Sequence, residues 1–247
     1  MKSRTDERAI QAVIFDLDNT LTDFMRAKDN AIMAAVDAMI DAGLRLSQEE
    51  GHRRIFEIYR DKGIEYQRIF NVFLQEQIGE VDDRMLAAAV VAYRRARDGT
   101  LVLYPHAMLT LNQLLKEGYK LAVVSDAPSF EAWIRLCSLR LQHMFDLVLT
   151  FDDTGQRKPS PRPFAMALER LGVSAERAVM VGDWPERDIV GASAAGLHTV
   201  YARYGDTYSS DDRSERGPSG AEFEIDDLLQ LLDVLRVLNG TGEEGQK

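Results

Sequence analysis

Short apolar runs alternate with helical segments through the second half of this chain. That alternation restricts the fold more than any other feature. A helical stretch over 106–117 ends at Gly118 and is followed by a strand at 120–124. Helix 129–140 leads to strand 147–150, helix 161–171 to strand 178–181, and helix 186–195 to strand 197–201. Runs this apolar are buried on both faces, which is the signature of a parallel sheet covered by helices on each side. Right-handed crossovers then select a doubly wound arrangement. With a first strand at about Ala12 to Asp16, the expectation is a Rossmann-like α/β fold. Its five parallel strands should run in the order 3-2-1-4-5.

Between the first strand and residue 100 the pattern is helical only. Ile32, Val36, Met39 and Ile40 recur on one helix face, and Gly43 is placed to end that helix. Ser47 followed by Glu50 reads as a capping box, opening a helix that runs to Gly63. A third stretch covers Ile64 to Ile78. A fourth begins near Asp82, turns Met85, Leu86, Ala89, Val90 and Tyr93 inward, and stops at Gly99. Four helices in a row predict a separate bundle at 22–99, inserted into a core made of 1–21 and 100–247. Residues 206–220 read as a mobile loop, Phe223 to Leu238 as a last amphipathic segment, and Asn239 to Lys247 as a frayed tail.

In such a sheet, ligands bind beyond the carboxyl ends of the strands. After the first strand come Asp16, Asp18 and Thr20. After the second come Ser125 and Asp126. The third leads to Arg157, Lys158 and Pro159, and the fourth to Gly182, Asp183, Trp184 and Asp188. Each of these residues is common in turns. Their joint occurrence, each at the same end of the sheet, is not. Two carboxylates about 4 Å apart repel by roughly 4 kcal/mol at an effective dielectric of 20. Four of them (Asp16, Asp18, Asp183 and Asp188) with one lysine therefore call for a divalent cation.

The 247 residues carry a formal net charge of −10, which argues against a general nucleic-acid-binding surface. Cys137 is the single cysteine, so an intramolecular disulfide is excluded; Trp133, Ile134, Leu136 and Leu139 around it suggest a buried thiol. The charged N-terminal residues show no secretory pattern, and no apolar stretch is long enough to span a bilayer. A cytoplasmic location and no membrane partner are the expectations. His106, His143 and His198 have no spacing that suggests a metal site.

The strand-end residues resemble the four motifs of the haloacid dehalogenase-like hydrolase superfamily, with the likeness covering about 11–205. The first motif reads Asp16 to Thr20, the second Ser125, the third Lys158 with Pro159, and the fourth Gly182 and Asp183 through Asp188. The family's helical type 1 cap sits between motifs one and two, where this chain has its four helices.

The resemblance implies a magnesium-dependent phosphatase acting on a small phosphorylated metabolite. Asp16 would be the nucleophile that forms an aspartyl-phosphate, and Asp18 the general acid and base. A carboxylate oxygen of Asp16, the backbone carbonyl of Asp18, and Asp183 would bind Mg²⁺, with Asp188 acting from outside those ligands. Thr20, Ser125, Lys158 and the backbone N–H of Asp126 would hold the phosphoryl group. Asp18 argues against a dehalogenase, which expels halide and needs no leaving-group proton. A phosphomutase or phosphotransferase stays open on the same residues; a non-catalytic regulatory protein fits poorly with both Asp16 and Asp18 in place. Lys28, Arg53, Arg54, Tyr66, Arg68 and Phe70 are the cap residues that could select the substrate, and Trp184 could rim the pocket. A monomer or a homodimer is compatible with the sequence.

Overall fold

The structure is a computed structural model that describes residues 9–206 and 218–241. Most of the 206–220 loop and of the C-terminal tail lies outside the described residues. The chain forms two compact units: one from the segments up to Asp23 and from Leu103 onward, the other from Phe24–Val102.

The first unit is built on a parallel sheet of β1 (Ala12–Phe15), β2 (Lys120–Val124), β3 (Leu147–Leu149), β4 (Ala178–Gly182), β5 (His198–Ala202) and β6 (Phe223–Ile225). The order is β3-β2-β1-β4-β5-β6. The inner five strands stand in the predicted order. The sixth is a correction: the segment read as amphipathic from Phe223 opens as an edge strand parallel to β5, and its helix spans only Leu231–Leu238.

Strand side chains alternate between two buried layers, as the two-residue period requires. Val13, Phe15, Leu121, Val123, Val179 and Val181 pack on one face with Leu111, Leu114 and Leu136. Those leucines belong to helices over Ala107–Glu117 and Ser129–Ser138. Ala12, Ile14, Ala122, Val124 and Met180 pack on the other face, with Phe164, Ala167 and Leu171 from helix Pro161–Leu171. Each face is therefore closed, and function is left to the strand ends.

The second unit consists of α1 (Phe24–Asp41), α2 (Gln48–Lys62), α3 (Ile69–Ile78) and α4 (Asp83–Thr100). Its core includes Ile32, Val36, Met39, Ile55, Phe73 and Leu74. The third helix starts five residues later than expected, because residues 64–68 form turns instead. The capping box at α2 is half made. Ser47 Oγ accepts the N–H of Glu50 at 3.2 Å, but the Glu50 carboxylate turns to Arg53 and Arg54. Among the described residues no helix is long and apolar enough to cross a membrane.

Cys137 is exposed, against expectation. Its helix turns Ala132, Arg135 and Leu136 inward, leaving Trp133 and Cys137 outside. Apolar neighbours in sequence set the wrong helical phase.

Candidate active site

β1 ends at Phe15, and Asp16 continues its ladder by donating its N–H to Val181 O. The turn that follows is tight: Asn19 has φ 59°, and Leu21 and Thr22 both donate N–H groups to Leu17 O. On the neighbouring strand, Gly182 must be glycine, since an added Cβ would lie 2.4 Å from the Asp188 side chain. The chain then enters a π-helical turn over Pro185–Ile189. The wider turn lets Asp188 Oδ2 accept the Trp184 N–H at 3.0 Å. Such turns recur at functional sites.

These two strand ends bring Asp16, Asp183 and Asp188 together, with one oxygen from each within 4.8 Å of the others. All three are buried. Lys158, itself only 4 % exposed, places Nζ 2.6 Å from Asp16 Oδ1 and 2.6 Å from Asp188 Oδ1. The first contact is an aligned hydrogen bond. The second is an ion pair by distance alone, and Asp188 Oδ1 has no aligned donor despite its burial. Thr20 Oγ1 donates to Asp183 Oδ1 at 2.8 Å, and Tyr204 Oη donates to Thr20 O at 2.7 Å.

The electrostatics follow from this crowding. Burial pushes the Asp16 carboxyl up to about 8; Lys158 opposes the shift, and Asp188 and Asp18 add to it. Asp183 is raised well above its ordinary value, mainly by burial and then by the charges of Asp16 and Asp188. Burial works to lower Lys158, but Asp16, Asp188 and Asp126 overcome it and hold the ammonium charged. Fully ionised, the three carboxylates against one ammonium would leave two negative charges in a buried site, which is why the unliganded cluster retains a proton. An oxygen-only donor set with an unaligned buried oxygen fits a hard divalent cation. Asp188, expected to act from outside the ligands, lies within the same cluster.

Asp18 is not part of this cluster. Its Oδ2 accepts from Arg135 Nη1 at 3.0 Å, and both side chains are largely buried. Arg135 was not anticipated from the sequence. The available signal was a charge on the inward stripe of its helix, beside Ala132 and Leu136. Ser125 Oγ accepts the Ala127 N–H at 3.2 Å, closing the turn after β2. The Asp126 carboxylate accepts the Lys158 N–H at 2.9 Å and meets Arg187 at 3.3 Å, so it ties the loops after β3 and β4. Arg187 stacks 3.8 Å over the Trp184 ring.

Of the candidate selectivity residues, Arg53 pairs with Glu50 and Glu57 on its own helix, and Arg54 with Glu50. Phe70 packs edge-on to Tyr93 in the helical core. Tyr66 is half-buried and Arg68 exposed. Lys28 is buried, donates to Ile64 O at 2.9 Å and sits 4.5 Å over the Tyr59 ring. His106 and His198 each contact a carboxylate, of Asp227 and Glu222 respectively.

The profile of the haloacid dehalogenase-like hydrolases matches residues 10–196, and the chain belongs to that family. It is 37 % identical over 226 residues to a glyceraldehyde 3-phosphate phosphatase of Methanothermobacter thermautotrophicus, covering 92 % of this chain and all of that one. A glyceraldehyde 3-phosphate phosphatase of Methanopyrus kandleri is 38 % identical over 231 residues, covering 93 % and 98 % of the two chains. The crystal structure of a HAD phosphatase from Thermococcus onnurineus superposes with a TM-score of 0.68 at 27 % identity, covering 92 % and 98 %. The protein is a phosphoric monoester hydrolase.

Proposed function

We propose that this enzyme is a magnesium-dependent phosphatase that works through an aspartyl-phosphate on Asp16. Its substrate class is small phosphorylated metabolites, with triose phosphates first among them. One observation carries the reading. Asp16 shares a buried cluster with Asp183 and Asp188, and Lys158 holds its Oδ1. The names of the relatives supply the triose-phosphate suggestion.

The proposed steps belong to the chain's own groups. The carboxylate of Asp16 attacks phosphorus, and the bond to the alkoxide oxygen breaks. Asp18 gives that oxygen its proton. It then takes a proton from the water that attacks the aspartyl-phosphate, and Asp16 is released with inorganic phosphate. Lys158 and Ser125 hold phosphoryl oxygens, with the backbone N–H of Asp126 as a further donor; Thr20, expected to join them, gives its single hydroxyl hydrogen to Asp183 instead. Asp16, Asp183 and Asp188 would hold the cation, and the backbone carbonyl of Asp18 would join them as the family resemblance implies. Bound Mg²⁺ would supply positive charge to the phosphoryl oxygens. The α/β unit carries the chemistry, and the helical unit selects the substrate.

A panel of phosphorylated metabolites assayed with Mg²⁺ tests the reading, with Asp16→Asn beside the wild type. Turnover of triose phosphates, lost in Asp16→Asn, is the expected result. Wild-type rates in that variant would overturn the covalent route.

A further inference from the structure

Arg135 stands outside the cluster of Asp16, Asp183, Asp188 and Lys158, yet it is only 6 % exposed. A buried guanidinium is costly unless paired, and breaking such a pair leaves the partner charge uncompensated. Its helix, Ser129–Ser138, otherwise presents Ala132 and Leu136 on that side, where an apolar residue would pack at no such cost. The guanidinium instead reaches across 117 positions of sequence to Asp18 Oδ2.

The backbone at Asp18 is already fixed. Asp18 bridges to Thr22, Asn19 donates its N–H to Thr22 O, and Asn19 holds φ 59°. The side-chain torsions of Asp18 are what remain to be set. A planar fork of donors sets the direction of a carboxylate better than a flexible point charge does. The helix carrying Arg135 also begins four residues after Ser125, so it joins the second strand end to the first. We infer that Arg135 is a positioning residue, which aims the Asp18 carboxyl for proton transfer to and from the departing oxygen. The inference rests on the acid–base role proposed for Asp18.

Leaving-group dependence separates positioning from a merely structural role. The p-nitrophenolate of p-nitrophenyl phosphate departs without a proton, whereas the alkoxide of glyceraldehyde 3-phosphate needs one. General acid–base groups contribute about 10²–10⁴-fold. For Arg135→Gln, kcat/KM on glyceraldehyde 3-phosphate should fall by roughly 10–100-fold, and on p-nitrophenyl phosphate by less than about 3-fold. Arg135→Lys should show the same split, weaker, and it serves alone if Arg135→Gln fails to fold. Asp18→Asn is the control and should show the largest split. If Asp18→Asn shows the split while the Arg135 variants lose both substrates equally or neither, the positioning inference is wrong and the role of Asp18 stands. If Asp18→Asn shows no split, the acid–base role falls and the inference falls with it.

Discussion

Thr20 and Asp183 are joined directly: the threonine hydroxyl donates to Asp183 Oδ1 at 2.8 Å, across 163 positions of sequence. Both are buried. The bond fixes one oxygen of Asp183 and so determines which remains to face a cation. Thr20→Val keeps the volume and removes the donor. Outer-shell partners of this kind are worth about 10–100-fold in metal affinity. The Mg²⁺ concentration for half-maximal activity should rise by that factor, with saturated kcat changed far less. A magnesium titration of wild type and variant checks it. An unchanged titration would mean that the hydroxyl plays no part in preparing Asp183.

The raised carboxyls make stability depend on pH in an unusual direction. Asp16 titrates at about 8 in the folded protein against 3.8 for an ordinary carboxyl, and Asp183 shifts the same way. Between those two values the folded chain keeps a proton that the unfolded chain has released. Stability therefore falls as pH rises from about 4 to about 8, the reverse of a salt-bridged aspartate. Lys158 keeps its charge throughout this window. A divalent cation takes the place of the retained proton, so its stabilising effect should grow from pH 5 to pH 8. At a hundredfold excess over Kd it contributes about 2.7 kcal/mol. Melting temperatures of chelated and Mg²⁺-loaded protein, taken across that range, should diverge. Curves that converge toward pH 8 would contradict the shifted carboxyls. Chelation should also abolish turnover while circular dichroism stays that of a folded protein.

Gly205 closes against the same loop from β5. A Cβ there would lie 1.7 Å from Asn19 O and 2.9 Å from Asp183 Cβ, and a backbone carbonyl cannot swing aside. Gly205→Ala should cost about 1–3 kcal/mol through overpacking. It should also lower kcat/KM by roughly 10²-fold, since it displaces the turn between Asp18 and Thr20. Gly99→Ala, in α4 with nothing within 4 Å of the new methyl, is the comparison and should gain up to about 1 kcal/mol. Equal activity in the two variants would mean that the turn tolerates the shift.

The sequence was most legible where burial is two-sided. β2 is five residues of which four are fully covered, so its apolar run could be nothing else. β6 escaped because it is a three-residue edge strand with Glu224 exposed at its centre, too short to show a period. The helix expected over 186–195 is a π-helical turn followed by Val190–Ala194, the wider turn accommodating the bond from the Trp184 N–H to the Asp188 carboxylate. Asp16 and Asp183 could be picked out because each directly follows a strand, and Lys158 and Asp188 because they lie in the segments that leave β3 and β4. Arg135 could not, since a charge is ordinarily read as solvated and its partner lies in another motif. Arg53 and Arg54, named as residues that could select the substrate, spend their charge on carboxylates of their own helix.

Lys28 is where substrate selection and plain packing give opposite results. Its ammonium caps the turn at Ile64 and lies 4.5 Å over Tyr59, with the Tyr93 ring at 5.6 Å. Burial raises the Tyr59 phenol, so that ring stays neutral and keeps its attraction for the cation. A charged hydrogen bond is worth about 1.5–3 kcal/mol. Lys28→Met keeps the stem and loses the head, and should destabilise the helical unit by about 2 kcal/mol, with faster amide exchange across residues 64–68. On the packing account KM for triose phosphates stays within about 2-fold, a change worth under 0.5 kcal/mol. A KM raised tenfold or more without faster exchange would reassign Lys28 to the substrate.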